Sequence, residues 1–417
     1  MTTTSPDRQH EVLPRQTSSG VSGPAQWYPS IEALRGLAAA AVVVHHVYDL
    51  IGAPPSPVAW LLEGFGSWGV YLFFLLSSFL LADRFWHPMT GRDLAAFYAR
   101  RMFRIAPAYY VMLFLMLLFF SQPALLQSTT GWHQILANLT FTQWLTPDTA
   151  SNLNVNGVLW TLTLEVLLYL TLPVLSWLVG RWAVRSAVVL LAAGVAYRLW
   201  VSHWAGGLFD LYFGSSQPIS PNARLYVQRQ YPGILPIFAL GVTARWVVSR
   251  GPLRSWVAKP LPVGNFWPVL AALIPSLLWL KGIYRASQPT HTVWFVGFDL
   301  VLAVMFVVPI WLAVKASRAD RLGLVPRVGN WLGLRSYSIY LWHFPIILAV
   351  VGAGPSASPA RTDHLSLRIA IIGALTLLFG AASYSLVEKP GIERGRRLVG
   401  SIMRGAKAAT VEAPGHV

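Results

Sequence analysis

The chain has 417 residues, of which 55% are hydrophobic and only 12% are charged, and it contains no cysteine. Soluble domains carry about 25% charged residues, so this chain has too little polar material to coat a globule. The composition excludes a disordered or collagen-like chain, and the lack of cysteine excludes disulfides and thiolate metal sites. A polytopic membrane protein is the class that remains.

Apolar stretches of about 20 residues, the length that crosses a bilayer core, predict ten membrane spans. Their expected bounds are 31–51, 66–82, 105–121, 157–179, 184–204, 231–249, 266–284, 292–314, 336–352 and 367–387. The predicted fold is therefore an all-α, polytopic membrane helical bundle, with residues 29–390 as the transmembrane domain. Residues 1–28 are expected to form a disordered cytoplasmic tail and residues 391–417 a basic cytoplasmic tail.

Lys and Arg residues alternate between the two sides of the predicted bundle. Of the 32, 24 fall in one set of connections and 6 in the alternate set, while Arg35 and Arg198 lie inside spans. Cytoplasmic loops are enriched in Lys and Arg, so this split predicts that both termini face the cytoplasm of a cell inner membrane. The net charge of +16 then reflects topology and contact with membrane lipids, and no nucleic-acid partner is expected.

Ionisable side chains at membrane depth are costly and are functional candidates. Arg35 and His46 are eleven residues apart on the first span, about three helical turns, so they share one face. Depth estimates place His46 and Glu165 at one level, about 20 Å from the cytoplasmic side, and His343 about 11 Å from it. These residues are predicted to line one buried cavity in which a carboxylate orients an imidazole for acid–base chemistry.

A structural interpretation of the same side chains stays open at this point. Either histidine can serve as an interhelical hydrogen-bond partner, and Glu165 can be the counter-ion of Arg35 or Arg198. Asp299, on the eighth predicted span, is interpreted as structural, and Arg198 as a residue that snorkels outward.

A basic motif, RRMFRIAP at 100–107, precedes the third span. Arg101 and Arg104 are three residues apart on one helical face at the predicted cytoplasmic surface. Guanidinium groups bind phosphate bidentately, which suits a substrate that carries phosphate. The alternative is a juxtamembrane cluster that binds lipid headgroups. P-loop, GxGxxG, HExxH and GxSxG motifs are absent from the sequence, and no metal site is predicted.

Five sequence blocks, in order from the first span to the last, resemble the acyltransferase-3 family of bacterial integral-membrane O-acyltransferases. The blocks are IEALRGLAAAAVVVHH with Arg35 and His46, RRMFRIAPAYY with Arg101 and Arg104, LWTLTLEVLLYLTLP with Trp160 and Glu165, SYSIYLWHFP with Tyr340 and His343, and SYSLVEKP. The second span departs from the family pattern, because Tyr71 replaces a common acidic residue.

The resemblance implies transfer of an acyl group from a cytoplasmic acyl-CoA to a hydroxyl of a carbohydrate-containing acceptor, such as a cell-envelope glycan, a glycolipid or a glycosylated metabolite. It implies His46 as general base, with Glu165 orienting or charge-balancing it and Arg35 extending a positive path inward. It further implies that the phosphates and the rest of the substrates are bound by Arg101, Arg104, His343, Trp160 and Tyr340. Acyl-CoA is a substrate here, and no bound cofactor is expected.

A proton-coupled membrane transporter is the alternative function. Ten spans with Gly and Pro breaks, together with a histidine and a carboxylate at mid-membrane depth, are also typical of carriers.

Overall fold

The computed structural model describes residues 28–51, 56–87, 89–120, 123–150, 157–213, 221–259, 261, 266–286, 292–317, 324–351 and 365–411. Within these ranges the regular secondary structure is helical throughout. The α-helices are α1 Pro29–Ile51, α2 Pro57–Leu62, α3 Phe65–Leu81, α4 Gly91–Phe120, α5 Pro123–Leu126, α6 Thr129–Leu139, α7 Pro147–Ala150, α8 Trp160–His203, α9 Gly206–Phe213, α10 Pro221–Gln228, α11 Tyr231–Ser249, α12 Arg254–Ala258, α13 Trp267–Ala286, α14 Thr292–Met305, α15 Val307–Ala316, α16 Leu324–Leu334, α17 Ser336–Val351, α18 Leu365–Ser383 and α19 Lys389–Val411.

Seven helical segments in the described ranges are long and apolar enough to cross a membrane, or eight if α16 and α17, bent by 71°, form one span. Large apolar side chains, among them Phe114, Leu278 and Leu378, remain exposed on the outside of the bundle. Such a surface is suited to lipid rather than water. The chain is thus a multi-pass helical membrane protein, while ten spans and cytoplasmic termini stay predictions.

The 44-residue helix α8 contains a sharp bend at Trp182, where φ is −136° and ψ is 53°. Across the bend the Ser186 hydroxyl donates to the Leu178 carbonyl at 2.9 Å. Eight residues of straight helix would separate these residues by about 12 Å, so α8 consists of two segments. A count of ten spans requires both segments of α8, the bent pair α16–α17 and the shorter apolar helix Trp267–Gly282 all to cross.

Helix α1 packs at backbone distance against α16. A methyl group added to Gly36 would overlap the carbonyl of Gly329, and one added to Gly333 would overlap the carbonyl of Glu32. Small residues permit such close approach between membrane helices. The helix that carries Arg35 and His46 is therefore fixed against its neighbour by backbone contact.

Helix α19 packs on the middle of α4. Gly391 lies against the carbonyl of Phe103, and Gly395 lies against the side chain of the same residue. Much of the expected basic tail at 391–417 is thus helical, up to Val411, and it contacts the helix that carries the RRMFRIAP motif. Residues 1–27 and 412–417 of the two predicted tails lie outside the described residues.

A buried ion pair ties α8 to α14. Arg198 is 1% exposed, its Nη2 donates to Asp299 Oδ2 at 3.0 Å, and its Nη1 donates to Asp299 Oδ1. Its Nε donates to the Gly233 carbonyl at 2.8 Å. The expectation that Arg198 snorkels outward is therefore wrong, because a buried carboxylate satisfies its charge. The structural interpretation of Asp299 fits this pair, and Arg198 is not the counter-ion of Glu165.

Candidate active site

Three cavities follow one another along α1. The vestibule, about 320 Å³, is lined by His45, Tyr48, Asp49, Ser56, Trp60, Leu62 and Glu63. The histidine cavity, about 100 Å³, is lined by His45, His46, Gly66, Ser67, Val70, Tyr71, Val158, Trp160, Arg229 and Tyr340. The arginine cavity, about 60 Å³, is lined by Arg35, Val70, Phe73, Phe74, Ser77, Arg104, Ile105, Thr161, Leu162, Glu165, Ser336, Tyr337 and Tyr340. Adjacent cavities share wall residues, so the three form a row.

A histidine pair lies at one wall of the histidine cavity. His343 is 0% exposed, and its Nδ1 donates to the Tyr340 carbonyl at 2.7 Å, because a carbonyl only accepts. His46 Nδ1 likewise donates to the Val42 carbonyl at 3.0 Å. His343 Nε2 lies 3.2 Å from His46 Nδ1. When both histidines are neutral, the His46 Nδ1–H group is therefore shared between two acceptors, the Val42 carbonyl and His343 Nε2. His46 Nε2 then keeps a free lone pair, which is what a general base requires.

The arginine cavity collects charges from three helices. Arg35 on α1 forms an ion pair with Glu32 at 3.3 Å, and Arg104 on α4 lines the same space. Glu165 on α8 accepts a hydrogen bond from the hydroxyl of Tyr169, one helical turn further along. The predicted Arg35, Arg104 and Glu165 are thus brought together, and two guanidinium groups in one small cavity suit an anionic ligand.

Arg101 is placed apart from this cavity's lining. Its guanidinium carbon lies 5.9 Å from the ring centres of both Phe97 and Tyr169. Arginine over aromatic rings is held by cation–π attraction. The predicted pair therefore divides: Arg104 faces the cavity, whereas Arg101 rests on the tyrosine that holds Glu165.

The wall between the histidine and arginine cavities is formed by Tyr340 and Val70. The Tyr340 hydroxyl donates to the Val158 carbonyl at 2.9 Å and lies 2.9 Å from the Thr161 hydroxyl, which fixes the ring in place. Trp160 lines the histidine cavity, where the Arg229 guanidinium carbon lies 5.2 Å from its ring centre.

The expectation that His46 and Glu165 share one level and one cavity needs correction. His46 and Arg35 lie along the same helix, but they line different cavities, and Glu165 lies with Arg35. The depth estimate assumed that Val158 is at the outer surface. Val158 instead borders the histidine cavity, so Glu165, seven residues later, is about 10 Å further along the bundle.

Two residues near the cavities were missed by the sequence reasoning. Arg229 follows the fifth predicted span and belongs to the smaller set of six basic residues, yet it lines the histidine cavity and donates to the Ser67 hydroxyl at 3.3 Å. Glu388, in the SYSLVEKP block, is 0% exposed and accepts a hydrogen bond from Ser338. The block itself was a signal for Glu388, whereas no local pattern distinguishes Arg229 from the other loop arginines.

A family profile described as an acyltransferase domain matches residues 28–386, most of the chain. The chain belongs to the acyltransferase-3 family. The match spans both the helix with Arg35 and His46 and the helix with His343, so this site lies within the acyltransferase domain. No solved structure matches the chain.

Curated relatives of this family include proteins with different printed functions. Peptidoglycan O-acetyltransferase OatA of Listeria monocytogenes is 24% identical over 88% of the chain and 56% of its own length. Nodulation protein 10 of Rhizobium leguminosarum is 26% identical over 89% and 95%, and acyltransferase MdmB of Streptomyces mycarofaciens is 25% identical over 93% and 97%. The chain thus spans little more than half the length of the peptidoglycan O-acetyltransferase it matches.

Proposed function

We propose that the protein is an O-acyltransferase of the cytoplasmic membrane that moves an acyl group from acyl-CoA to a hydroxyl of a carbohydrate-containing acceptor. One observation carries the proposal: a histidine with a free ring nitrogen lies between a cavity with two arginines and an open vestibule. Donor and acceptor then approach His46 from opposite ends of the row.

His46 acts as general base. The acceptor hydroxyl attacks the thioester carbonyl, its proton passes to His46 Nε2, the C–S bond breaks, and the CoA thiolate takes up the proton. His343 Nε2 faces the other nitrogen of His46, so its lone pair stabilises the imidazolium that forms. The lack of cysteine excludes an acyl-thioenzyme, so the proposal favours direct transfer, with a transient acyl-histidine as the alternative.

The arginine cavity holds the donor. Arg104 binds a CoA phosphate through its planar fork, and Arg35 extends the positive path along α1. Glu165, held by Tyr169, balances this charge rather than contacting His46. The histidine cavity, of about 100 Å³, favours a short acyl chain, in keeping with the O-acetyltransferase names of several relatives.

The vestibule receives the acceptor. Trp60 offers a ring face on which a sugar can stack, and the Asp49 and Glu63 carboxylates offer acceptors for sugar hydroxyls. The peptidoglycan named for one relative is a carbohydrate polymer, which supports a glycan or a glycosylated small molecule as acceptor.

The test is a transfer assay with the purified full chain, radiolabelled acetyl-CoA and an envelope extract. We expect acylated product from the parent protein and a loss of about 10²–10⁴-fold in His46→Ala, the usual contribution of a general base. His203→Ala, an exposed histidine at the end of α8, is the matched control and should retain activity. Full activity in His46→Ala, or proton-linked uptake with no acylated product, would contradict the proposal.

A further inference from the structure

A buried carboxylate beside the arginine cavity has no part in the transfer described above. Glu388 is 0% exposed and ends a single π-helical turn, Tyr384–Glu388, that joins α18 to α19. Single π-helical turns are rare and frequently mark functional sites. The buried position in a π-helical turn therefore makes the negative charge of Glu388 a functional candidate.

The two oxygens of Glu388 have different surroundings. Oε2 accepts a hydrogen bond from the Ser338 hydroxyl at 2.7 Å. Oε1 is also buried, and among the described residues it accepts no hydrogen bond. This oxygen is therefore available to interact electrostatically with a nearby cation.

The two arginines of the cavity, Arg104 and Arg35, are among the charges that act on Glu388. Gly391, about one helical turn after Glu388, lies against the carbonyl of Phe103, the residue before Arg104, so the carboxylate is close to Arg104. Arg104 and Arg35 both lie within its electrostatic range. In the part of the chain that the structure describes, Glu388 forms no direct ion pair with either arginine. The carboxylate therefore acts through its charge and leaves the Arg104 N–H groups to a ligand.

We propose that Glu388 is a positioning residue that competes with the donor's phosphates for the charge of Arg104 and so limits how tightly the arginine cavity holds CoA. The inference rests on the proposed function, which places CoA in that cavity. Two arginines without this counter-charge would retain the CoA product after transfer. Glu388 thus balances donor capture against product release.

The test measures binding of CoA itself to the purified full chain, by calorimetry. We expect Glu388→Gln to bind CoA about tenfold more tightly and to show a lower kcat with a lower KM, because the neutral amide no longer opposes the phosphates. Glu388→Asp keeps the charge and should bind CoA like the parent. In an Arg104→Gln background the effect of Glu388→Gln on CoA binding should vanish. This double-mutant cycle isolates the coupling between Glu388 and Arg104.

The outcomes separate the two proposals. Unchanged or weaker CoA binding by a folded Glu388→Gln overturns the role of Glu388 and leaves the acyl-CoA donor standing. A parent protein that binds no CoA overturns both. If Glu388→Gln does not fold, Ser338→Ala decides, since it removes a hydrogen bond that favours the charged form of the carboxylate. We expect this variant to bind CoA about two- to threefold more tightly, and weaker or equal binding overturns the inference.

Discussion

Two charged clusters inside the bundle differ in how completely their arginines are satisfied. Arg198 is enclosed, with Asp299 and two backbone carbonyls accepting its hydrogen bonds. Arg104 lines a cavity, and within the described ranges it forms no ion pair. Burial in the membrane is common to both, so depth alone does not separate structure from function. What separates them is the donor capacity left for a ligand.

The largest effect on this contrast is expected from Arg198→Met. The substitution leaves Asp299 buried without its partner, which should destabilise the protein by about 3–5 kcal/mol. Thermal unfolding in detergent should show a clearly lower midpoint. The double variant with Asp299→Leu should recover much of the loss, because no unpaired charge remains. Parent-like stability of the single variant would mean that the pair is not structural.

A change of intermediate size is expected from Arg104→Lys. Lysine keeps the charge but lacks the planar fork that grips phosphate, so the KM for acyl-CoA should rise about tenfold or more with little change in unfolding temperature. Arg100→Lys, one turn earlier on α4, is the matched control and should leave KM unchanged. If Arg104→Lys and Arg100→Lys show the same KM for acyl-CoA, Arg104 is a structural residue, as Arg198 is, and does not bind the donor.

The smallest effect is expected from Glu32→Gln. The ion pair between Glu32 and Arg35 is 3.3 Å long and partly exposed, and such pairs contribute about 1 kcal/mol or less. Steady-state kinetics should show a shift of about threefold or less in the KM for acyl-CoA. A tenfold rise would show that Glu32 holds Arg35 in its working position, which would make Arg35 resemble Arg198 more than Arg104.

Much of the bundle was predictable because the signals are local. Runs of apolar residues set the helices, and the break between the fourth and fifth predicted spans coincides with the bend at Trp182. The blocks that carry Arg35, Arg104 and Glu165 led to residues that line one cavity. Their catalytic and binding roles stay predictions.

Pairings between distant segments were not predictable. Helical periodicity shows which side chains share one face of a helix, but it does not show which other helix packs against that face. The Arg198–Asp299 pair spans 101 positions, and the contact of His343 with His46 spans 297. The level of Glu165 was misjudged for a related reason. The Gln143 side chain, which follows the short helix α6, donates to the Leu159 carbonyl next to the first residue of α8. The chain before α8 therefore covers its start, and α8 begins inside the protein rather than at the membrane surface.

The glycine contacts between α1 and α16 have a consequence for the movement of the substrate. Arg35 and His46 are fixed on one rigid rod, eleven residues or about 16 Å apart. Since this rod is locked by its backbone, the two positions keep a constant spacing. If the proposed donor is anchored by its phosphates near Arg35, its acyl carbon must cross that interval, past Tyr340 and Val70, on the donor's own flexible arm, because α1 does not shorten the distance.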